Sequence, residues 1–453
     1  MPERLNLQAV SEENGSLSRS TTTQENQLRK NVSPASEPHG ILRRPEASVS
    51  PEIAPDEPAA KLTVYGVCEE GVELTLQSLR AYWSEHQHFA IAWSGGKDST
   101  ALLTLVVHFI DAGLLPQPEC LHVFYADTRQ ELPPIQIAAE QIMALIGRRN
   151  WIKLHVVRAP LDKRFMVYIL GRGVPPPNNN TMRWCTRQIK VDPMAAALEE
   201  ALIGLPGKAL MLTGVRQGES AIRDGRIAMS CSKDGAECGQ GWYQQVLPDA
   251  KGIKGRLATL VPLLHWRVCW IWDWLKIFAP MPEFGGWPTQ ILADAYGGDD
   301  ATEINARTGC IGCPLASRDT ALETIVAMEQ WAHLAPLLEL KPLYRWMRKP
   351  QQRLRKAGAE LLKDGSRAKN PQRMGPLTIE ARETALATVL DIQRRARVDL
   401  INTEEDARIR ELIAARTFPD KWNGDEPRAD LWLDAVYGDG TEQPILFREL
   451  VGT

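Results

Sequence analysis

Seven consecutive residues, Ser-Gly-Gly-Lys-Asp-Ser-Thr at 94–100, carry the groups needed to hold phosphate. Gly95 and Gly96 lack the Cβ atoms that would keep backbone N–H groups away from phosphate oxygens. Lys97 supplies a mobile positive charge, and Ser94, Ser99 and Thr100 supply hydroxyls. Asp98, a carboxylate beside phosphates, calls for a cation, and Mg²⁺ is the expected one. The segment is not a Walker A loop, which needs a glycine where Ile91 stands and a hydroxyl residue where Asp98 stands. A Gly-rich turn without a ligand is the alternative reading.

The second group that could do chemistry is sulfur. Cys310 and Cys313 form a Cys-x-x-Cys within TGCIGCPLA, and Cys231 and Cys238 lie in a Gly-rich, apolar-poor stretch. Glycines around such a pair suit a metal knuckle or a redox pair, and no thioredoxin-like pattern accompanies this one, so metal is favoured. Four thiolates would suit an iron–sulfur cluster or zinc equally well. The sequence begins without an apolar signal-peptide core, so cytoplasmic residence is the expectation. In that reducing compartment the eight cysteines are expected as ligands or core residues, not disulfides. Cys120 and Cys269 are expected in the core.

These groups need a scaffold. FAIAW (89–93), LHVFYAD (121–127), LHVVRA (154–159), ALMLTGV (209–215) and LATLVPLL (257–264) read as strands. Helical periodicity separates them at 72–83, 101–113 and 135–147 and again from Asp192-Pro193 onward. Alternation of this kind predicts an α/β fold: a doubly wound, mostly parallel five-stranded sheet. The phosphate segment then falls at a strand-to-helix turn, where open α/β sheets bind ligands. Residues 1–60 are rich in Ser, Glu and Pro and are expected to be disordered. From 336 the strand signals stop, so a helical domain at 336–453 is expected after an α/β domain at 61–335.

The phosphate segment resembles the PP-loop of the ATP pyrophosphatase superfamily, SGGxDS. Three later segments sharpen the likeness: YADTRQELP (125–133), RWCTRQIKVDPM (183–194) and TGVRQGESAIR (213–223). Together they resemble the phosphoadenosine phosphosulfate (PAPS) reductase family, and within it the DndC-like DNA phosphorothioation proteins most. The resemblance implies an adenine nucleotide α-hydrolase-like fold. It implies ATP bound by Ser94, Gly95, Gly96, Lys97, Asp98, Ser99 and Thr100, and attack on its α-phosphate with release of pyrophosphate. Lys97, Asp98 and Arg216 would be catalytic. Asp127 would lie near adenosine or metal, and Gly214, Arg216 and Arg223 near phosphate or the sulfur-bearing substrate. Arg183 and Arg187 are further anion-binding candidates. Cys185 lies where related reductases place cluster cysteines, so a 4Fe-4S cluster would draw on Cys185, Cys231, Cys238, Cys310 and Cys313, with zinc as the alternative. Nucleic acid, specifically DNA, and a cysteine desulfurase would be partners. A sulfonucleotide (PAPS or adenosine phosphosulfate) reductase is the alternative function.

Composition adds two statements. No apolar run reaches the roughly 20 residues of a membrane span, so no membrane is expected. The net charge is only −3, but Lys341 to Arg373 is densely basic, with Tyr344 and Trp346 interleaved. Such clustering reads either as a nucleic-acid footprint, with Arg353, Arg355 and Lys356 among its contacts, or as a solvated face.

Overall fold

The apolar runs are short, and apart from the one at 152–157 their side chains are mostly buried on both faces, as parallel strands under helices require. In the computed structural model they form β1 (His88–Trp93), β2 (Leu121–Ala126), β3 (Ile152–Val157), β4 (Ala209–Thr213) and β6 (Leu257–Val261). A sixth strand, β5 (Trp242–Gln245), was not expected and pairs antiparallel with β6 at the edge. The order is β3-β2-β1-β4-β6-β5, with the first five parallel. The structure describes residues 65–179, 183–217, 242–245, 257–298, 309–356, 364–366, 373–431, 435–436 and 441–444. The tail expected at 1–60 lies outside them, as do Arg223, Cys231 and Cys238.

Four helices accompany the sheet: α1 (Glu69–Trp83), α2 (Lys97–Asp111), α3 (Pro133–Ile146) and α4 (Asp192–Leu202). α2 begins four residues earlier than its apolar pattern suggests, because its first turn is the polar half of the phosphate segment. From there it is buried nearly all round, Leu102, Leu103, Val106, Val107 and Phe109 included. A helix of that kind belongs at the centre of a core. A tryptophan-rich layer packs near it. Trp274 Nε1 donates to Thr104 Oγ1 at 2.9 Å, and Trp266 Nε1 donates to the Gly71 carbonyl at 2.9 Å. Trp266, Trp270 and Trp274 are buried as expected. Cys269, expected in the core, is instead exposed on α5 (Val268–Asp273), because the flanking tryptophans occupy the inward face.

The C-terminal half contributes α6 (Thr320–Ala327), α7 (Leu340–Met347), α8 (Ile379–Ala396) and α9 (Thr403–Ala414). Thr378 caps α8 by accepting from Ala381 N at 3.1 Å, and Asn402 with Glu405 forms a capping box on α9. Such caps contribute about 1 kcal/mol each. Val389 and Ile392 of α8 and Ile409 of α9 belong to the same apolar cluster as Leu102 and Ile91. Leu62–Thr453 is accordingly one compact unit. Among the described residues no helix is long and apolar enough to cross a membrane.

Arg382 shows how tightly α8 is joined. It is fully buried and donates to the carbonyls of Leu170 (2.7 Å), Gly171 and Thr417 (2.9 Å). Burial holds its guanidinium down at about 10. Arg382→Met keeps much of the volume but strands buried carbonyls, at about 1–3 kcal/mol for an unsatisfied group. We expect urea unfolding to show a loss of about 3 kcal/mol or more. An unchanged midpoint would mean that α8 does not depend on this side chain.

Candidate active site

β1 is flanked by β2 on one side and by β4 on the other, so the chain reverses its direction of travel across the sheet at β1. Crevices at such a switch point, outside the carboxyl ends of the strands, are where open α/β sheets bind ligands. Here the crevice is a cavity of about 590 Å³. Ser94, Gly96, Lys97, Asp98 and Ser99 line one part of it. Gly95 has φ +75°, a left-handed conformation that glycine adopts without strain. The turn brings Gly96 to the N-terminus of α2, where free N–H groups and the helix dipole favour an anion.

Charge is arranged around Asp98. Lys97 Nζ lies 3.0 Å from Asp98 Oδ2, and Arg216 Nε donates to Asp98 Oδ1. Arg216 also donates from Nη1 to the Trp266 carbonyl at 3.3 Å, while its Nη2 is buried without a partner. The carboxylate thus meets two protein cations, one at each oxygen. Gly214 ends β4 against the first turn of α2. A Cβ there would sit 2.6 Å from the Asp98 carbonyl oxygen, so only glycine permits the approach.

Other expected contacts fall elsewhere. Thr100 is fully buried and its hydroxyl accepts from Trp93 Nε1 at 2.9 Å, so it serves the core and not the cavity. Asp127 pairs with Arg158 at 2.6 Å and accepts from Arg129 N, and it does not line the main cavity. Arg187 is exposed and pairs with Asp192 at 3.0 Å, and neither it nor Arg183 reaches the cavity wall.

Glu131, Lys190 and Tyr296 also line the cavity, with no role expected from sequence. Glu131 lies in the YADTRQELP segment, and Lys190 in RWCTRQIKVDPM, so their segments had signalled the site. Thr128 Oγ1 donates to Glu131 at 2.6 Å, yet burial pushes the Glu131 carboxyl above its ordinary value. Tyr296 closes the wall, its hydroxyl accepting from Lys97 N at 3.3 Å and its ring 4.9 Å from Lys97 Nζ. Nothing near Tyr296 in the sequence marked it.

The opposite part of the cavity is sulfur. Cys185, Cys310 and Cys313 line it, and all three are free thiols. Burial, helped by Cys313, Glu131 and Cys185, pushes the Cys310 thiol up to about 12. Among the described residues no three His, Cys, Asp or Glu side chains are gathered closely enough to hold a metal ion. The donor chemistry nevertheless fits a thiolate-bound group, given three facing thiols and a neighbouring hydroxyl that lacks a partner. Tyr344 is buried, its hydroxyl has no hydrogen bond, and Cys310 and Cys313 are the neighbours that raise it further after burial. An orphaned donor of this kind is costly in an apolar setting and suits an acceptor supplied by sulfur.

The cysteine segment is held by the basic one. Lys341 Nζ donates to the carbonyls of Cys313 (3.0 Å) and Ala316 (2.8 Å), Arg345 to Ser317 (3.1 Å), and Arg348 to Pro314 (3.0 Å). Two residues expected to contact nucleic acid are internal. Arg353 is 6% exposed and donates to the Gly375 and Met374 carbonyls, and Arg355, also 6% exposed, donates to Leu431. Burial holds the Arg353 guanidinium down at about 10. Lys356 pairs with Glu426 at 2.6 Å. These three side chains serve as structural donors.

Residues 88–277 match the family model described as the phosphoadenosine phosphosulfate reductase domain. That span contains the whole six-stranded sheet and the phosphate-loop side of the cavity. No curated protein matches the chain. Among solved structures, a phosphoadenylyl-sulfate (PAPS) reductase from Candida auris in its phosphate complex is similar at 13% identity and a TM-score of 0.28, over 48% of this chain and 88% of that one. The U34-tRNA thiolase NcsA from Methanococcus maripaludis, with its [4Fe-4S] cluster, is similar at 15% identity and a TM-score of 0.28, over 61% of this chain and 78% of that one.

Gly214→Ala tests the cavity's geometry without touching a charge. The added methyl must push β4 away from α2, because its contact is backbone. We expect nucleotide affinity by calorimetry to fall at least about tenfold, which corresponds to about 1.4 kcal/mol. Wild-type affinity in a folded variant would remove the β4 end from the site.

Proposed function

We propose that this chain is an ATP pyrophosphatase that adenylates its substrate for sulfur transfer, with nucleic acid as the substrate in phosphorothioation-like chemistry. The observation that carries the reading is that a phosphate loop and three thiols face one cavity. The segment resemblances at 94–100, 125–133, 183–194 and 213–223 supply the reaction class.

In this reading the substrate oxygen attacks the ATP α-phosphorus. A new P–O bond forms, and the bond from the α-phosphorus to the bridging oxygen breaks. Pyrophosphate leaves with that electron pair. Such transfer needs positioning and charge neutralisation more than a protein nucleophile. The N–H groups after Gly95 and Lys97 would hold the departing phosphates. Arg216, with one buried donor still unpartnered, would both fix Asp98 and offer charge to the transition state. Glu131, whose carboxyl is raised, would suit proton transfer within the cavity. Cys185, Cys310 and Cys313 would hold a 4Fe-4S cluster or zinc, with a further thiolate from Cys231 or Cys238. When bound, that group would supply a sulfur-binding metal. A cysteine desulfurase would then be the sulfur donor.

The family match over 88–277 favours a second reading, thiol-dependent reduction of a sulfonucleotide. The complete SGGKDST loop, lysine included, weighs against it.

Purified protein with ATP and its acceptor should make AMP and pyrophosphate. Lys97→Ala should cut that rate about 10²–10³-fold, as removal of one transition-state donor does, without unfolding the protein. ADP and orthophosphate as products would sink the proposal.

Anaerobically purified protein should contain iron and acid-labile sulfide. Cys310→Ser should lose them, whereas Cys120→Ser should not. Stoichiometric zinc without iron would keep the site and overturn the cluster. Full retention of metal in Cys310→Ser would overturn the site itself.

A further inference from the structure

Behind the cysteine segment lies a second cavity of about 490 Å³ that shares Pro314 with the first. Asn178, Asn179, Lys341, Tyr344, Arg345 and Arg348 contribute to its wall, and among the described residues no carboxylate does. The three cations are held only by neutral backbone carbonyls: those of Cys313, Ala316, Ser317, Pro314 and Pro177. Carbonyls accept hydrogen bonds but do not cancel charge. The Asp319 and Glu323 carboxylates nearby favour the charged form of Lys341, and the Asp319 oxygens accept from Gly312 N (2.8 Å) and Leu322 N (3.4 Å). Neither Arg345 nor Arg348 has a carboxylate partner among the described residues. The two lie three apart at the end of one helix, so they repel. Arg348 is already lowered by burial and then by Arg345. Its Nε is buried and lacks any partner.

A polar pocket with three cations, a spare guanidinium donor and no carboxylate among its described wall residues is suited to an anion. Guanidinium groups match the geometry of phosphate oxygens better than ammonium does. We propose that this second cavity binds a phosphate group of the molecule that reaches the thiols. The phosphate is either a polynucleotide diester or the phosphate of a small nucleotide. The inference does not rest on the ATP reading, because these residues lie outside the loop at 94–100. It replaces Arg353, Arg355 and Lys356, which are internal or paired, with Arg345 and Arg348 as the contacts.

The test is binding by the full chain, without ATP, of single-stranded and duplex oligonucleotides and of adenosine 3′,5′-bisphosphate, across a salt series. Arg345→Gln is the main variant, because Arg345 is exposed and has one carbonyl to lose. Arg348→Gln is the second. Arg345→Gln should weaken the probe that uses the cavity about tenfold. If that probe is an oligonucleotide, its log–log salt slope should flatten by about 0.7–0.9, the value of one phosphate contact. ATP affinity should stay at the wild-type value, which also reports an intact fold. Loss confined to oligonucleotides names a polynucleotide phosphate, and loss confined to the bisphosphate names a nucleotide. Equal affinity and slope for wild type and both variants, or no binding of any phosphate probe, would overturn the proposal.

Discussion

Asp98 ties the site together. Its two oxygens hold Lys97 from its own helix turn and Arg216 from the segment after β4. That bridge spans the crevice between the carboxyl ends of neighbouring parallel strands, and Gly214 lets the two backbones come close enough to make it. A partly buried carboxylate with two cations carries net positive charge, which is what a phosphate-binding crevice needs. Removing one partner of such a group leaves another charge uncompensated, so the triad behaves as a unit. The free Nη2 of Arg216 follows from the same arrangement, since one face of the guanidinium is spent on Asp98 and another on Trp266.

The sulfur side is organised by different forces. The turn at 310–313 contains Gly312 at φ +59°, where a Cβ would collide with Leu340. Its N–H groups are met by the Gln130 carbonyl and the Asp319 carboxylate, and the carbonyls of Cys313 and the adjoining Pro314 by Lys341 and Arg348. Gln130 follows β2 and itself faces the main cavity. The backbone that carries the thiols is therefore anchored to the segment after β2 that lines the same cavity.

What could be read from sequence was what local rules determine. Five strands and the helices between them emerged from periodicity, and the phosphate loop from its glycines and its place at a strand end. The direction in which a hydroxyl or a cation points is set by tertiary neighbours. Thr100 sits one residue after Ser99, yet a buried indole claims its hydroxyl. Arg353 and Arg355 alternate along a short strand in a densely basic stretch, yet both turn inward to carbonyls. Glu131 and Lys190 were inside segments already singled out, so the segment was legible and the particular side chain was not. Tyr296 reaches Lys97 from almost two hundred positions away, and no local pattern encodes such a meeting.

The anchoring of 310–317 has a consequence for the order of assembly. Beyond Asp319 and the turns within the segment, its hydrogen-bond partners come from 130, 179 and 341–348, so much of its support is distant in sequence. Contacts of high sequence separation form only after the loops between them have closed, and loop closure is entropically unfavourable until tertiary contacts compensate. Cys310 and Cys313 therefore take up their positions beside Cys185 late, once α7 has docked on the sheet domain. Any group that binds these thiols would correspondingly meet them together only in a nearly complete protein.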